Sequence, residues 1–217
     1  MRIIAGSAGG ITIKAPRTEL RPTSDRVREA IFSMLGDLVP GARVLDLFAG
    51  SGAMGLEALS RGASECHFIE QNSAACKTIE ENFQHARLKN GRVMKADAFS
   101  AIERLARDGS AFDLVFADPP YAKQPGDPDA AARLLACSPL RALLRGGGWF
   151  VLETMVTKRA SDAMPHWSIV RDRAYGDTRV MLLQPLEKHA APSPAALQSS
   201  LPARPAGDDA ASAEEDA

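Results

Sequence analysis

Asp118-Pro119-Pro120-Tyr121 sets a carboxylate, two imino acids and an aromatic ring in a row, directly after an apolar run. Neither proline has a backbone N–H to donate, and Pro120 holds Pro119 extended. The product is a stiff loop whose outward carbonyls stand beside an acid. Such a loop suits a planar NH₂ group. Asp118 and the Pro119 carbonyl each accept one amine hydrogen, and Tyr121 stacks on the ring that carries it. An exocyclic base amine is a poor nucleophile because its lone pair is delocalised into the ring. Two acceptors bias the nitrogen toward tetrahedral geometry and aim its lone pair at a methyl donor, while Asp118 offsets the positive charge that develops.

A methyl donor needs its own site, and the stretch Val44 to Gly55 offers one as strand, tight glycine turn and helix. Gly50-x-Gly52-x-x-Gly55 also satisfies the dinucleotide fingerprint. The two readings differ in the charge they want. A pyrophosphate sits at a helix N-terminus, where negative charge is welcome. Here Asp46 stands four residues before the turn and suits a cationic ligand better. S-adenosylmethionine carries an ammonium and a sulfonium and no phosphate. Glu70, ending the next strand, can accept both ribose hydroxyls of either ligand, and Asp97, ending the third, can reach an adenine amine. With Phe48, Ser51 and Ala98 these residues make the expected cofactor-binding set. Asp46 as a turn cap, Asp97 as a helix cap and Glu70 as a solvated strand end stay open from the residues alone.

The elements that must position these groups alternate along the chain. Strands are expected at 43–48, 65–70, 92–95, 112–117 and 148–153, with helices at 54–61, 72–86, 99–107 and 129–144 between them. A closing antiparallel hairpin follows at 167–173 and 178–183 around Tyr175-Gly176-Asp177. Strands separated by helices mean an open, mostly parallel sheet with helices on both faces, an α/β Rossmann-like fold. Ahead of it, 2–6 and 10–14 read as a small hairpin. Thr23 or Ser24 then caps a helix whose stripe is Val27, Ala30, Ile31, Met34, Leu35 and Leu38. The expected organisation is a hairpin–helix appendage at 1–40, a main domain at 41–187 and a tail at 188–217.

The chain has 217 residues, 45% of them hydrophobic, which excludes wholesale disorder. No run nears the ~20 apolar residues of a membrane span, and no secretory leader is evident. Three well-separated cysteines with no C-x-x-C pair point to reduced thiols in a cytoplasmic protein and, with four scattered histidines, to no metal site. The formal net charge of −1 is uneven, since residues 190–217 hold five acids and one Arg and leave about +3 on the rest. That Ala/Pro/Ser-rich tail lacks the large apolar side chains needed to offset the entropy of ordering, so it is expected to be disordered. The first 35 residues hold six basic and three acidic side chains, a bias toward a polyanionic partner.

The glycine loop followed by D-P-P-Y resembles the S-adenosylmethionine-dependent amino-methyltransferases. Arg2–Gly6, the stretch from Arg21-Pro22-Thr23-Ser24-Asp25-Arg26-Val27-Arg28 to Ala30, and Leu45–Gly62 extend the likeness. Together they resemble the bacterial 16S ribosomal RNA guanine-N2 methyltransferase family (RsmD type), over residues 1 to about 187. The resemblance implies a seven-stranded class I methyltransferase fold, with one methyl passed to the N2 amine of a single guanine. Its RNA would lie in an assembled or partly assembled small (30S) subunit, and the enzyme would act as a monomer. By position, Asp46, Gly50, Gly52, Glu70 and Asp97 would hold the cofactor and Asp118 to Tyr121 the target base. Arg21, Thr23, Arg26 and Arg28 would lie near the entrance, although Arg26 and Arg28 also read as a solvated helix face. Arg2, Lys14 and Arg17 are candidate phosphate contacts. The acidic tail departs from the family and brings no catalytic side chain.

The rival readings are an N6-adenine DNA methyltransferase, for which a separate DNA-recognition domain is expected and not seen, and a glutamine methyltransferase, in which Asn normally replaces Asp118. A nicotinamide oxidoreductase leaves Asp118–Tyr121 unexplained. A non-catalytic RNA-binding assembly factor needs neither Asp118 nor Asp46.

Overall fold

The computed structural model describes residues 1–15, 24–121, 129–156 and 164–186, which fall within one compact unit, Met1–Leu186. Arg17, Arg21, Thr23 and the tail lie outside the described residues. In chain order the elements are α1 (Asp25–Leu35), β1 (Arg43–Leu47), α2 (Ala53–Ser60), β2 (Glu65–Glu70), α3 (Ser73–His85), β3 (Gly91–Lys95) and α4 (Ala98–Arg107). They continue with β4 (Phe112–Ala117), α5 (Ala130–Ala136), α6 (Ser138–Leu143), β5 (Leu144–Met155), β6 (Trp167–Tyr175) and β7 (Thr178–Pro185). The seven strands form one sheet in the order β3-β2-β1-β4-β5-β7-β6. All neighbours as far as β5 are parallel, and the β6–β7 hairpin closes the edge antiparallel.

The apolar runs in the central strands exist because both sheet faces are covered. Along β4, Leu114 and Phe116 enter one core with Ile31 and Phe32 of α1 and Leu56 of α2. Val115 and Ala117 enter the other with Ile102 of α4 and Leu140 of α6. Helix starts follow capping chemistry: Ser24 Oγ accepts from Val27 N at 3.3 Å, and Asn72 Oδ1 accepts from Ala74 N and Ala75 N at 2.8 and 3.1 Å.

Four expectations need correction. The single helix at 129–144 is two, because Cys137 is extended (φ −74°, ψ 105°) ahead of Pro139, which sits in the first turn of α6. Pro cannot supply an interior helix hydrogen bond, and the chain restarts around it. β5 begins four residues early, since Gly147 (φ 80°) lets the strand shift register between its pairings with Phe112 and Leu114. α1 stops at Leu35 with Gly36 at φ 48°, and Leu38 falls outside its stripe, 40% exposed. The N-terminal hairpin is present but shorter than expected, one antiparallel bridge of Arg2 with Thr12 flanked by hydrogen bonds from Ile3 N to Ile11 O and from Ile13 N to Met1 O.

That shortening has a cause in α2. Glu57, fully buried, accepts from Ile4 N at 2.6 Å and Ala5 N at 3.1 Å. Ser60 Oγ accepts from Ala8 N at 2.9 Å, and the Ser60 carbonyl accepts from Ser7 N at 2.7 Å. Gly6 (φ 84°) lies so close that a Cβ there would stand 1.9 Å from the Ser60 carbonyl oxygen. Ile3 N still donates across to Ile11 O at 2.9 Å and Ile13 N to Met1 O at 3.0 Å, but from Ile4 on the segment turns its N–H groups to α2 instead, and Ile3, Ala8 and Ile13 join the same core as α1 and α2.

Candidate active site

The strand order reverses between β1 and β4, the place where open α/β sheets bind ligands beyond their carboxyl ends. The glycine turn follows β1 and Asp118 follows β4, with Leu47 and Ala117 paired at the two strand ends. Four of the acids singled out in the sequence line this edge in the order Asp97, Glu70, Asp46, Asp118, one for each of the adjacent strands β3, β2, β1 and β4.

The turn is held in a conformation that L residues rarely adopt. Phe48, Gly50 and Gly52 have φ of 59°, 56° and 79°. A Cβ at Gly52 would also press on the Ile79 side chain at 3.0 Å, and its positive φ is what calls for glycine. Phe48 is the non-glycine outlier, its ring edge-on to Phe99 with centroids 6.2 Å apart. Strain of this kind persists only where surrounding structure over-determines it. Gly52 N donates to Ala49 O at 2.7 Å, and Ala49 N to Ile69 O at 3.0 Å.

The carboxylates tie the turn down. Glu70 is buried, with Oε2 accepting from Gly50 N at 3.0 Å and Oε1 from Asn72 N at 2.8 Å. Each oxygen has a second lone pair, so both can still receive a hydroxyl. Asp46 is also buried, and its Oδ2 accepts from Gly55 N in the first turn of α2 at 3.0 Å. Burial pushes its carboxyl up to about 8, against the lowering effect of the Gly55 N–H and with the Glu70 charge adding to the rise. A neighbouring cation would reverse that shift. Asp97 is exposed and caps α4, its Oδ1 accepting from Ser100 N at 3.0 Å, while Ala98 is the buried first residue of that helix. Pro119 is buried, Asp118 and Tyr121 half-buried, and Pro120 exposed.

The basic residues separate. Arg2, Lys14 and Arg26 are exposed or partly so, Arg2 lying 3.9 Å from Asp25 and Lys14 2.9 Å from Glu81. Arg28, expected at the RNA entrance, is instead fully buried. Its Nη2 donates to the Arg2 carbonyl and to Asp25 Oδ1, and its Nε lies 3.8 Å from Glu57 Oε2. A guanidinium sealed from solvent cannot meet a phosphate, and it serves to dock α1 on α2 and the N-terminal segment.

Sequence reasoning missed three positioning residues. Glu57 and Ser60 are described above. Asn82 receives Lys14 N on Oδ1 at 2.8 Å and donates through Nδ2 to Lys14 O at 2.9 Å and Ser51 O at 3.0 Å, so it pins the glycine turn to the N-terminal segment. The signal was present: Ala75, Cys76, Ile79 and Asn82 form the buried stripe of α3, and a polar residue on such a stripe must be bonded. Among the described residues, no three His, Cys, Asp or Glu are grouped to hold a metal.

The family model described as conserved hypothetical protein 95 matches residues 1–184. The ribosomal RNA small subunit methyltransferase D of Escherichia coli (strain K12) is 34% identical over 85% of this chain and 89% of its own length. The chain belongs to the ribosomal RNA small subunit methyltransferase D family. Two solved structures share this methyltransferase fold closely. The Escherichia coli protein yhhF is 34% identical, with a TM-score of 0.72 over 85% of this chain and 97% of its own. A hypothetical protein of Thermus thermophilus is 32% identical, with a TM-score of 0.70 over 85% and 99%. A more distant structure complexed with S-adenosylhomocysteine, 13% identical at a TM-score of 0.61 over 75% of this chain and 50% of that one, shares the fold alone. In this member of the family, two of the segments that carried the resemblance in the sequence, the glycine turn after β1 and Asp118–Tyr121 after β4, stand at the crevice.

Proposed function

We propose that the protein transfers a methyl group from S-adenosylmethionine to the exocyclic N2 amine of one guanine in 16S ribosomal RNA. The observation that carries this reading is the position of Asp118-Pro119-Pro120-Tyr121 at the end of β4, beside the glycine turn at the switch point of the sheet. Family membership and the name of the Escherichia coli relative support ribosomal RNA as the substrate. The buried acid Asp46 suits the cationic amino-acid end of the cofactor, the spare lone pairs of Glu70 suit its ribose and Asp97 suits its adenine amine, with Phe48, Ser51 and Ala98 completing the cofactor-binding set.

The cofactor supplies an electrophilic methyl on a sulfonium. The chain's own residues do the rest. Asp118 and the Pro119 carbonyl accept the two amine hydrogens and turn the nitrogen lone pair out of conjugation. As the N–CH₃ bond forms and the S–CH₃ bond breaks, the nitrogen becomes positive, and Asp118 stabilises that charge until the extra proton leaves. The target guanine must be unstacked to reach it, which costs a few kcal/mol in a duplex and less in a loop. Arg2, Lys14 and Arg26 hold phosphates outside the site, and the substrate is an assembled or partly assembled small subunit.

The test is transfer of labelled methyl to small subunits lacking the modification, to naked 16S RNA and to DNA, followed by digestion to nucleosides. N2-methylguanosine from the subunit is expected. Methyladenine, or label confined to DNA, overturns the assignment of base and substrate.

A further inference from the structure

Asp118-Pro119-Pro120-Tyr121 can hold any exocyclic amine, so it does not by itself choose guanine over adenine or cytosine. A second carboxylate stands where that choice is made. Ala117 of β4 pairs with Leu152 of β5 in parallel register, so Asp118 and Glu153, each one residue further on, are neighbours across the sheet at about the 5 Å strand spacing. Their faces follow from alternation. Phe116 and Val151, two residues earlier on each strand, lie in the core beneath α1, whereas Ala117 and Leu152 lie in the other. Glu153 therefore points to the same face as Asp118 and Asp46, at the same end of the sheet. It is 6% exposed and paired in register with Val180 of β7.

From this register we infer that Glu153 is the specificity-determining residue of the site, accepting the N1–H of the guanine whose N2 amine Asp118 holds. The inference rests on the proposed amine-binding role of Asp118. The Watson–Crick edge of guanine presents N1–H and the N2 amine side by side, a run of donors that two adjacent carboxylates match. Adenine presents its amine beside an acceptor nitrogen, and so does cytosine. Either would set a lone pair against the Glu153 carboxylate, a mismatch that polar sites reject far more strongly than a missing methylene. The acceptor pair thus reads the base, while the two prolines and Tyr121 only hold its amine and ring.

2-Aminopurine isolates this contact, since it keeps the 2-amine of guanine but has an unprotonated N1. Small subunits assembled with guanine or 2-aminopurine at the methylated position would be compared for kcat/KM with the wild-type chain and Glu153→Gln. Binding of S-adenosylmethionine by calorimetry serves as the folding control. The wild-type chain is expected to favour guanine by about 10- to 100-fold, the range for a hydrogen bond to a charged group. Glu153→Gln, whose amide can accept from guanine or donate to 2-aminopurine, should compress that ratio below about 5-fold while binding the cofactor as before. Wild-type enzyme that makes N2-methylguanosine yet methylates 2-aminopurine equally well overturns the role of Glu153 and leaves the proposed function standing, and this arm needs no variant to fold. A ratio unchanged in a cofactor-binding Glu153→Gln overturns it too. Absence of N2-methylguanosine from the guanine substrate removes the reading on which it rests.

Discussion

Asp46 places catalysis and stability in opposition at a single side chain. Its carboxyl titrates at about 8 in the folded protein against an ordinary 3.8, so the folded cofactor-free chain keeps a proton that the unfolded chain releases. The stability this contributes is complete below about pH 4 and is lost as pH rises toward 8. Asp46→Asn keeps an acceptor for the Gly55 N–H without the buried charge, and should raise the cofactor-free Tm at pH 8 by several degrees in a thermal scan. The same variant should bind S-adenosylmethionine about 10- to 100-fold more weakly, since the ammonium loses a charged partner. For the wild type, a cationic ligand selects ionised Asp46. Its Kd should therefore tighten by up to about 10-fold per unit between pH 6 and 8, a slope that calorimetry should find flattened in the variant. Asp118→Ala is expected to lower methyl transfer by roughly 100- to 1000-fold with cofactor binding retained. Unchanged transfer would remove Asp118 from the reaction. The placing of Asp46, Glu70, Asp97 and Asp118 at neighbouring strand ends was legible in the sequence, because each follows or closes an apolar strand run. Arg28 was misread, because helical spacing places a residue on a face but does not say which polar groups that face meets.

At the scale of elements, the glycine turn is braced from both sides: by Glu70 through Gly50 N and by Asn82 through Ser51 O. The N-terminal segment is fastened mainly by α2, where Glu57 satisfies Ile4 N and Ala5 N and faces both Arg28 and Arg61. Glu57→Ala takes a buried carboxylate from beside Arg28, which keeps its ion pair with Asp25, and leaves two backbone donors without their acceptor. It should cost about 3 kcal/mol, read as a fall in Tm of roughly 10 °C for a unit of this size. A fall within about 2 °C would mean that the segment is held by its apolar contacts alone. Helix starts at Ser24, Asn72 and Asp97 were readable because a cap is a local event. The break at Cys137 was readable too, in Pro139, but the long apolar periodicity from 130 to 144 outweighed one residue. The shortening of the N-terminal hairpin had no local signature, since it is decided by what lies across the contact in α2, whereas the early start of β5 had one in Gly147.

Over the whole molecule, charge is divided between a unit carrying about +3 and the last 28 residues carrying −4. Ending the chain after His189 should leave Tm and cofactor affinity unchanged and strengthen non-specific RNA binding several-fold at low salt. The gain should vanish as salt screens the interaction, and filter binding across a salt series reads both effects. The alternation of apolar strands and amphipathic helices sufficed to determine an open, mostly parallel sheet, because the covered faces of β4 and β1 demand it. The glycine turn and the D-P-P-Y loop sufficed to mark the crevice, because φ and hydrogen-bonding constraints act within a few residues. What the fold alone decided are relations between distant segments: Glu57 with Ile4 and Ala5, Asn82 with Ser51, Arg28 with the Arg2 carbonyl, and Ala117 with Leu152. A buried polar group must find its partner wherever the chain brings one, and which segment arrives is set by strand register and packing rather than by the neighbours of that group in sequence.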